Sequence, residues 1–398
     1  MKRWLAGFLV VAAVAAACTE NLTTPGQCPT LCPGGQAVFR DTVVLPVLGE
    51  DSSFTGYVAP NNLLSVLVSS GGTYNQARAV IRFTPTGDSL LVSDTNRTFV
   101  TDSAIIELGL AALDTTATNI FFDIYRLPTT VDSTVTIDAL DALMTPDKLI
   151  GEYSAPQNVH TGNFDIRLSG ADLAKVAFVP SDSTILEIGV RIRADEPTAA
   201  RLGTTALGSL EPSFTVWGTA NGVTDTTINR ASISRVPSQA FTVRPAGPPI
   251  PADLLAVGGD PVARTFFRFD LPSYLKDSAT IIRATLELTT NAPLFGIPAD
   301  TARIDAFPVL IDFGSKSPPL STVGASEVLL PGMSVIDIEI APIVNTWQGV
   351  NALPEILRLS LDQEGGTFLA PLFRSTRSMT GQPTLRITYR PPFAFQSF

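Results

Sequence analysis

The sequence has few of the residues on which most enzymes and nucleic-acid-binding proteins depend. It contains one histidine and three cysteines, and its 27 lysine and arginine residues face 37 aspartate and glutamate residues. Because nucleic-acid phosphates are bound by clustered cations, the acidic balance argues against a nucleic-acid partner. A Ser-His-Asp or Cys-His catalytic arrangement would need His160, and no Gly-x-Ser-x-Gly turn accompanies it. We therefore expect no catalytic residue, with His160 in a solvated loop.

Long apolar runs are also scarce. The exception is Trp4–Ala17, which follows the basic residues Lys2 and Arg3 and is too short to span a bilayer comfortably. This pattern predicts a signal peptide over residues 1–17 and an exported protein.

The end of the apolar segment reads Ala-Ala-Ala-Cys, which resembles the bacterial lipobox, although Ala15 stands where that motif usually has leucine. The resemblance implies that Cys18 carries the lipid and that residues 18–36 form a polar linker. The protein would then be a membrane-anchored lipoprotein of the outer membrane or cell surface. The alternative is an ordinary secreted protein that is cut after one of the alanines.

Cys28 and Cys32 lie close together within this linker, in CPTLCPGG. A zinc site would lack ligands, because no histidine lies nearby. An exported chain meets an oxidising compartment, so we predict a small disulfide loop, with free thiols as the alternative.

The rest of the chain is dominated by short segments that alternate between apolar and polar residues. In RATLELT, Ala284, Leu286 and Leu288 share one face, and VIDIEI, LRLSL and TLRITY alternate in the same way. Strands with one apolar face are typical of antiparallel sheets that pack in pairs. The best helix candidates, LSGADLAKVAF and APIVNTW, are no more than a few turns long. The sequence therefore predicts an all-β fold.

The strand pattern also recurs along the chain. Five segments align in the same order: LLSVLVSSGGTYNQARAVIRFTP with DLLAVGGDPVARTFFRFDLP, DSAIIELGL with DSATIIRATLELTT, FFDIYRL with RIDAFPV, FDIRLSGADL with IDIEIAPIV, and LEIGVRI with EILRLSL. This order predicts a duplicated domain, and the strand number fits a jelly roll. We expect two tandem jelly-roll-like antiparallel β-sandwich domains, over residues 37–245 and 252–392, joined by the Pro-rich linker 246–251.

Several motifs of the second copy carry a family resemblance. RTFFRFDLP, ATLELT, IDIEIAPIVNTWQG and PTLRITYRP follow one another over about residues 252–391. In this order they are similar to the DNRLRE family of bacterial extracellular domains. The first copy departs from the pattern, because Thr84 replaces the aspartate after Arg82-Phe83 and no tryptophan follows Asp165. The resemblance implies a sandwich like those of carbohydrate-binding modules, found on polysaccharide-active or cell-surface proteins, and it makes a polysaccharide the expected partner.

Aromatic side chains supply the first candidate contacts for such a ligand. The flat faces of Trp217, Tyr57, Tyr74 and Tyr125 could stack on sugar rings. Trp217 lies beside turn residues in PSFTVWGTANG and is the preferred candidate, with core packing as the alternative. Trp347 matches a family position that looks structural, so we expect it in the core.

Arg82 and Arg268 occupy matching positions in the two copies, on the side of their strands that faces away from the core. We expect them either to form ion pairs with neighbouring acids or to hold an acidic ligand. The acidic loop TTVDSTVTIDALDALMTPD could hold a structural Ca²⁺ through oxygen ligands, but no EF-hand or nonapeptide spacing supports this. We expect no other cofactor.

These features together predict a non-enzymatic envelope lipoprotein that binds a glycan at the cell surface. One alternative is a purely structural or adhesive surface protein. Another is a glycoside hydrolase or lyase, since the chain has enough acids for a catalytic pair. The alternating positions of Glu107, Asp165, Glu287 and Asp337 place these carboxylates on outer strand faces, which favours the non-enzymatic reading. The sequence carries no signal for an oligomeric state.

Overall fold

A computed structural model describes residues 38–392, apart from 57, 59–61, 86, 88, 177–184, 225–228, 248 and 299. The predicted signal peptide, Cys18, Cys28, Cys32 and Tyr57 lie outside the described residues. Within the described ranges, no helix has the length and apolar character needed to cross a membrane.

Strands dominate the described chain, and their pairings are antiparallel, which confirms the predicted all-β class. In the first part of the chain the strands are β1 (Arg40–Val44), β2 (Ser52–Thr55), β3 (Ser65–Ser69), β4 (Arg78–Phe83), β5 (Ser89–Val92), β6 (Thr95–Leu113), β7 (Phe121–Arg126), β8 (Leu149–Ser154), β9 (Gly162–Ser169), β10 (Glu187–Arg193), β11 (Ala199–Gly203), β12 (Ser213–Ala220), β13 (Arg230–Arg235) and β14 (Pro237–Val243).

The second part of the chain is also built mainly from strands. Its strands are β15 (Leu254–Ala256), β16 (Ala263–Arg268), β17 (Thr280–Thr289), β18 (Ala302–Pro308), β19 (Ala325–Leu329), β20 (Val335–Glu339), β21 (Ile356–Leu361), β22 (Leu372–Arg374) and β23 (Thr384–Arg390). The helices of the described chain are short, namely α1 (Ile137–Leu143), α2 (Ala171–Val176), α3 (Ser273–Asp277) and α4 (Ala341–Thr346), with 3₁₀ turns at Pro146–Lys148, Thr205–Leu210 and Gly314–Lys316. Helices α2 and α4 fall within the two helix candidates of the sequence.

Two sheets built from β3 to β14 form what we call the N-terminal sheet pair. One has the strand order β14-β4-β10-β7-β8, and the other has the order β13-β12-β6-β11-β3, with β9 and β5 also paired to β6. Alternation explains the packing: in β9, Phe164, Ile166 and Leu168 are buried while Asp165 and Arg167 are exposed. Both sheets contribute to one continuous apolar core.

The C-terminal sheet pair has the orders β19-β18-β21-β16-β2 and β1-β23-β17-β20, with β15 paired to β22. Its core is separate and contains the predicted inward face of RATLELT, namely Ala284, Leu286 and Leu288. The order β16-β21-β18-β19 repeats the order β4-β10-β7-β8. The registers agree with the sequence alignment as well, since Glu107 opposes Asp165 in one pair and Glu287 opposes Asp337 in the other.

The first two strands do not join the sheets that follow them in the chain. Strand β1 pairs with β23, and β2 pairs with β16, so both belong to the C-terminal sheet pair. Between them, the buried Asp51 accepts hydrogen bonds from the backbone N–H and hydroxyl of Thr376, at 2.8 and 2.6 Å. The sequence predicts that residues 37–245 form one domain, whereas β1 and β2 pair with strands of the C-terminal sheet pair. A local strand pattern does not indicate which distant strand an edge strand will pair with.

A polar and apolar interface joins the two sheet pairs. Leu67 and Tyr74 from the N-terminal pair share a small buried cluster with Ile297 and Phe368. Nearby, the buried Arg201 forms an ion pair with the buried Asp300. A buried ion pair is geometrically demanding, because both charges lose their water and must find partners in the protein. The interface therefore depends on one arrangement of these side chains.

Candidate ligand-binding cleft

A cleft of about 240 Å³ opens where the two sheet pairs meet. The loop between β3 and β4 contributes Thr73, Tyr74 and Asn75. The loop between β17 and β18, with the sequence NAPLFGIP, contributes residues 291–295. Within this loop Leu294 and Ile297 are buried, whereas Phe295 lies at the surface.

The cleft contains an aromatic pair. The rings of Tyr74 and Phe295 lie 4.7 Å apart at 51°, and Phe368 packs on Tyr74 from another side at 5.3 Å. Tyr74 is almost fully buried and donates a hydrogen bond to Asp114 Oδ2 at 2.7 Å, whereas 48% of the Phe295 side chain is exposed. Burial and the Asp114 carboxylate raise the pKa of the Tyr74 hydroxyl. Tyr74 is thus a fixed support, and Phe295 presents an apolar ring surface to solvent.

A buried carboxyl group lines the same cleft. Asp260 forms an ion pair with Arg244, but its Oδ2 has no hydrogen-bond partner among the described residues. Burial raises the pKa of Asp260 to about 6, and Arg244 opposes the shift. The group is therefore mostly ionised at neutral pH, and its Oδ2 is a buried acceptor without a hydrogen bond to the described residues. Asn75 and Asn291 also line the cleft and supply amide donors and acceptors.

Trp217 lies elsewhere, in the middle of β12 and not at a strand end. It is half-buried on the outer face of its sheet, opposite Ser103 on β6 and Ser232 on β13. It is not part of the apolar core and does not line the cleft between the sheet pairs. Its role as a sugar contact stays a prediction.

Arg82 and Arg268 both make several contacts within the protein. The Nε–H of Arg82 donates to the buried Glu187 at 2.5 Å, and its other N–H groups reach Gln239 and the backbone oxygens of residues 129 and 131. Arg268 holds Asp312 at 2.8–3.0 Å and donates to the backbone oxygen of Glu50 at 2.7 Å. Of the two roles expected for these arginines, the contacts correspond to the ion-pair role.

His160 is exposed and lies 3.3 Å from the Thr115 hydroxyl. It also lines a second cleft between the sheet pairs, of about 540 Å³, together with the ion-paired Arg201 and Asp300. Gln363 accepts a further hydrogen bond from Arg201, so the charged groups of this cleft satisfy one another.

The remaining candidates lie in the interior or on strand faces. Trp347 is buried in the C-terminal core against Phe269, with ring centroids 5.5 Å apart. Tyr125 is buried on β7, where its hydroxyl accepts a hydrogen bond from Arg191. The described residues contain no group of three His, Cys, Asp or Glu side chains that could hold a metal ion.

Comparisons with known proteins assign no family. No family model and no curated protein matches the chain. Among solved structures, the C-terminal domain of the Streptococcus pyogenes antigen I/II-family protein AspA aligns at 7% identity over 84% of this chain and 92% of that chain, with a TM-score of 0.14. A structure described as BspA_C_mut aligns at 9% identity over 83% and 91% of the two chains, with a TM-score of 0.15. At these scores neither likeness carries an argument about function.

Proposed function

We propose that the protein is a non-enzymatic glycan-binding lipoprotein of the cell envelope, and that the cleft with Phe295 and Asp260 is its sugar site. The lipid anchor at Cys18 and the two tandem jelly-roll domains of the DNRLRE type are parts of this proposal that rest on the sequence. Residues 18–36 would hold the binding region away from the membrane.

The observation that supports the sugar site most is the pairing of an exposed ring with an unsatisfied buried acceptor. A pyranose has an apolar face that can pack on the half-exposed Phe295, and hydroxyl groups that can donate to Asp260 Oδ2. Leaving that oxygen without a partner costs free energy, which a ligand hydroxyl would recover. Asn75 and Asn291 could then fix the orientation of the ring.

The two alternatives from the sequence make different demands on this cleft. A hydrolase needs two carboxyl groups on either side of a bond, and Asp260 is the one carboxyl group among the described residues that line it. A purely structural or adhesive protein would not bind a free sugar there. Binding measurements therefore separate the alternatives.

The test is a glycan array probed with the full-length protein and with Phe295→Ala. We expect the wild type to retain a set of glycans, and Phe295→Ala to lower retention at least tenfold, because a stacking contact of about 1.5 kcal/mol is lost. The melting temperature should hardly change, since the ring is half-exposed. Phe313→Ala is the matched control, because Phe313 is 63% exposed and does not line the cleft.

The outcomes bear directly on the choice of function. Equal losses in Phe295→Ala and Phe313→Ala would place the sugar contact outside the cleft. A wild type that retains no glycan would leave the structural or adhesive alternative. Release of shortened sugars from a retained glycan would instead identify a hydrolase or lyase.

A further inference from the structure

The outer face of the sheet β19-β18-β21-β16-β2 carries an arginine without a partner. Arg358 on β21 is half-buried, and its buried Nε–H donates no hydrogen bond. Its side chain forms no hydrogen bond or ion pair with the described residues. Burial and the nearby Arg264 lower the pKa of Arg358, whereas Glu364 raises it. A guanidinium group stays charged in proteins, so this site holds a partly desolvated cation that no carboxylate of the described residues contacts directly.

On β16 the buried Phe266 lies opposite Arg358, and on the β18 side its neighbours are an aromatic ring and a carboxyl group. Phe307 on β18 lies directly opposite Arg358 and is half-buried. One step along the same face of β18, Asp305 lies opposite Ser360. Burial raises the pKa of Asp305, and Arg303 opposes the shift. Asp305 and Arg358 do not approach within ion-pair distance of each other, so neither charge is neutralised by the other.

In the N-terminal sheet pair, the residues at the aligned positions form ion pairs with one another. In the N-terminal sheet pair, Asp123 takes the place of Asp305 and is held by Arg191 at 3.2 Å and by Arg193 at 3.0 Å. Arg191 also lies over the ring of Tyr125, 5.0 Å from its centroid. Ser360 and Asp362 replace these two arginines in the C-terminal pair, so Asp305 loses both partners.

The same comparison explains why an arginine fits at position 358. The position aligned with it is Gly189, where an added Cβ would lie only 2.3 Å from Met144 Cε and 3.0 Å from Leu127 Cδ1. The chain between β7 and β8, which contains α1, therefore covers the N-terminal face. The corresponding chain between β18 and β19 leaves room for the long side chain of Arg358.

We propose that Phe307, Arg358 and Asp305 form a binding site for an acidic sugar of the uronate type. The guanidinium group matches a carboxylate, to which it can donate two parallel hydrogen bonds. The ring of Phe307 offers a surface for the apolar side of the sugar, and Asp305 can accept hydrogen bonds from its hydroxyl groups. This site is separate from the cleft with Phe295 and does not depend on it.

The experiment titrates the full-length protein with trigalacturonate and with a neutral galactose trisaccharide. We expect the acidic sugar to bind the wild type at least tenfold more tightly than the neutral one, and binding to weaken as salt rises. Arg358→Gln should weaken binding of trigalacturonate at least tenfold. Arg358→Lys keeps the charge without the planar pair of donors and should give an intermediate loss.

Two controls keep the result specific. Arg283→Gln removes one charge from an exposed arginine on another sheet and should leave affinity unchanged. Phe295→Ala should also leave it unchanged, which separates this site from the cleft. The melting temperature of Arg358→Gln should not fall, because an unpaired half-buried charge is removed.

Three results would overturn the proposal. They are no binding of trigalacturonate by the wild type at millimolar concentration, equal binding of the two trisaccharides, and an Arg358→Gln variant that binds as the wild type does. A fourth contradicting result is a large fall in the melting temperature of Arg358→Gln together with absent binding, which would assign Arg358 a packing role against Phe266, its neighbour on β16.

Discussion

The N-terminal sheet pair is made from one continuous stretch of chain, whereas the C-terminal pair is completed by strands that precede the whole N-terminal pair. In the first, β13 flanks β12 and β14 flanks β4. In the second, β1 flanks β23 and β2 flanks β16, so the two early strands take the corresponding places. The comparison teaches that the edge strands of one sheet order can come from the adjacent chain or from a distant part of it. The C-terminal pair therefore depends on residues 40–55.

The largest effect should come from removing this dependence. Deletion of residues 38–55 takes away the inward-facing Val44 and the contacts of Asp51, and it exposes the edges of β16 and β23. We expect the C-terminal pair to lose about 5 kcal/mol or more, which is the whole stability of many domains. Thermal unfolding followed by circular dichroism should then show no cooperative transition for this half.

Fragments sharpen the same comparison. Residues 62–245 contain all strands of the N-terminal pair and should unfold cooperatively on their own. Residues 252–392 lack β1 and β2 and should not, although the sequence predicts them as a self-contained domain. Joining residues 38–56 after residue 392 through a flexible linker should restore the transition. A fragment 252–392 that melts cooperatively at the temperature of the full chain would contradict the dependence.

A smaller effect should follow from exchanging one residue between the two outer faces. Gly189→Arg forces a long side chain beneath the covering segment, against Met144 and Leu127. Overpacking of this kind should cost about 3 kcal/mol in the free energy of unfolding. The reverse exchange, Arg358→Gly, removes a half-buried side chain and should cost about 1 kcal/mol for the flexible glycine. Urea unfolding measures both, and equal costs would mean that the two faces are covered alike.

The sequence predicts the strands better than it predicts their partners. Strict alternation identifies the inward face of RATLELT, including Leu286, because core packing acts on each strand locally. The five residues of β1 include two charged side chains and only one fully buried position, so little in them indicates which sheet they join. Phe295 and Asp260 line one cleft from loops that are separate in sequence, and no local pattern indicates that they share it. Only the mismatch of Gly189 with Arg358 in the aligned segments signals in advance that the two outer faces differ.

The smallest effect on stability should appear at Trp217, the residue that the sequence analysis favours as a sugar contact. In the N-terminal pair it opposes Ser103 and Ser232 on an outer face, and the pairing registers place Thr388 at the matching position of the C-terminal pair. Trp217→Thr gives this half-buried position the residue found at the matching position of the C-terminal pair, and it should lower the free energy of unfolding by about 1 kcal/mol. Trp347→Ala, in the core, should cost about 3–5 kcal/mol. If Phe295 carries the sugar contact, Trp217→Thr keeps full glycan retention on the array. Loss of retention at unchanged melting temperature would instead move the sugar site from the cleft to the outer face of β12.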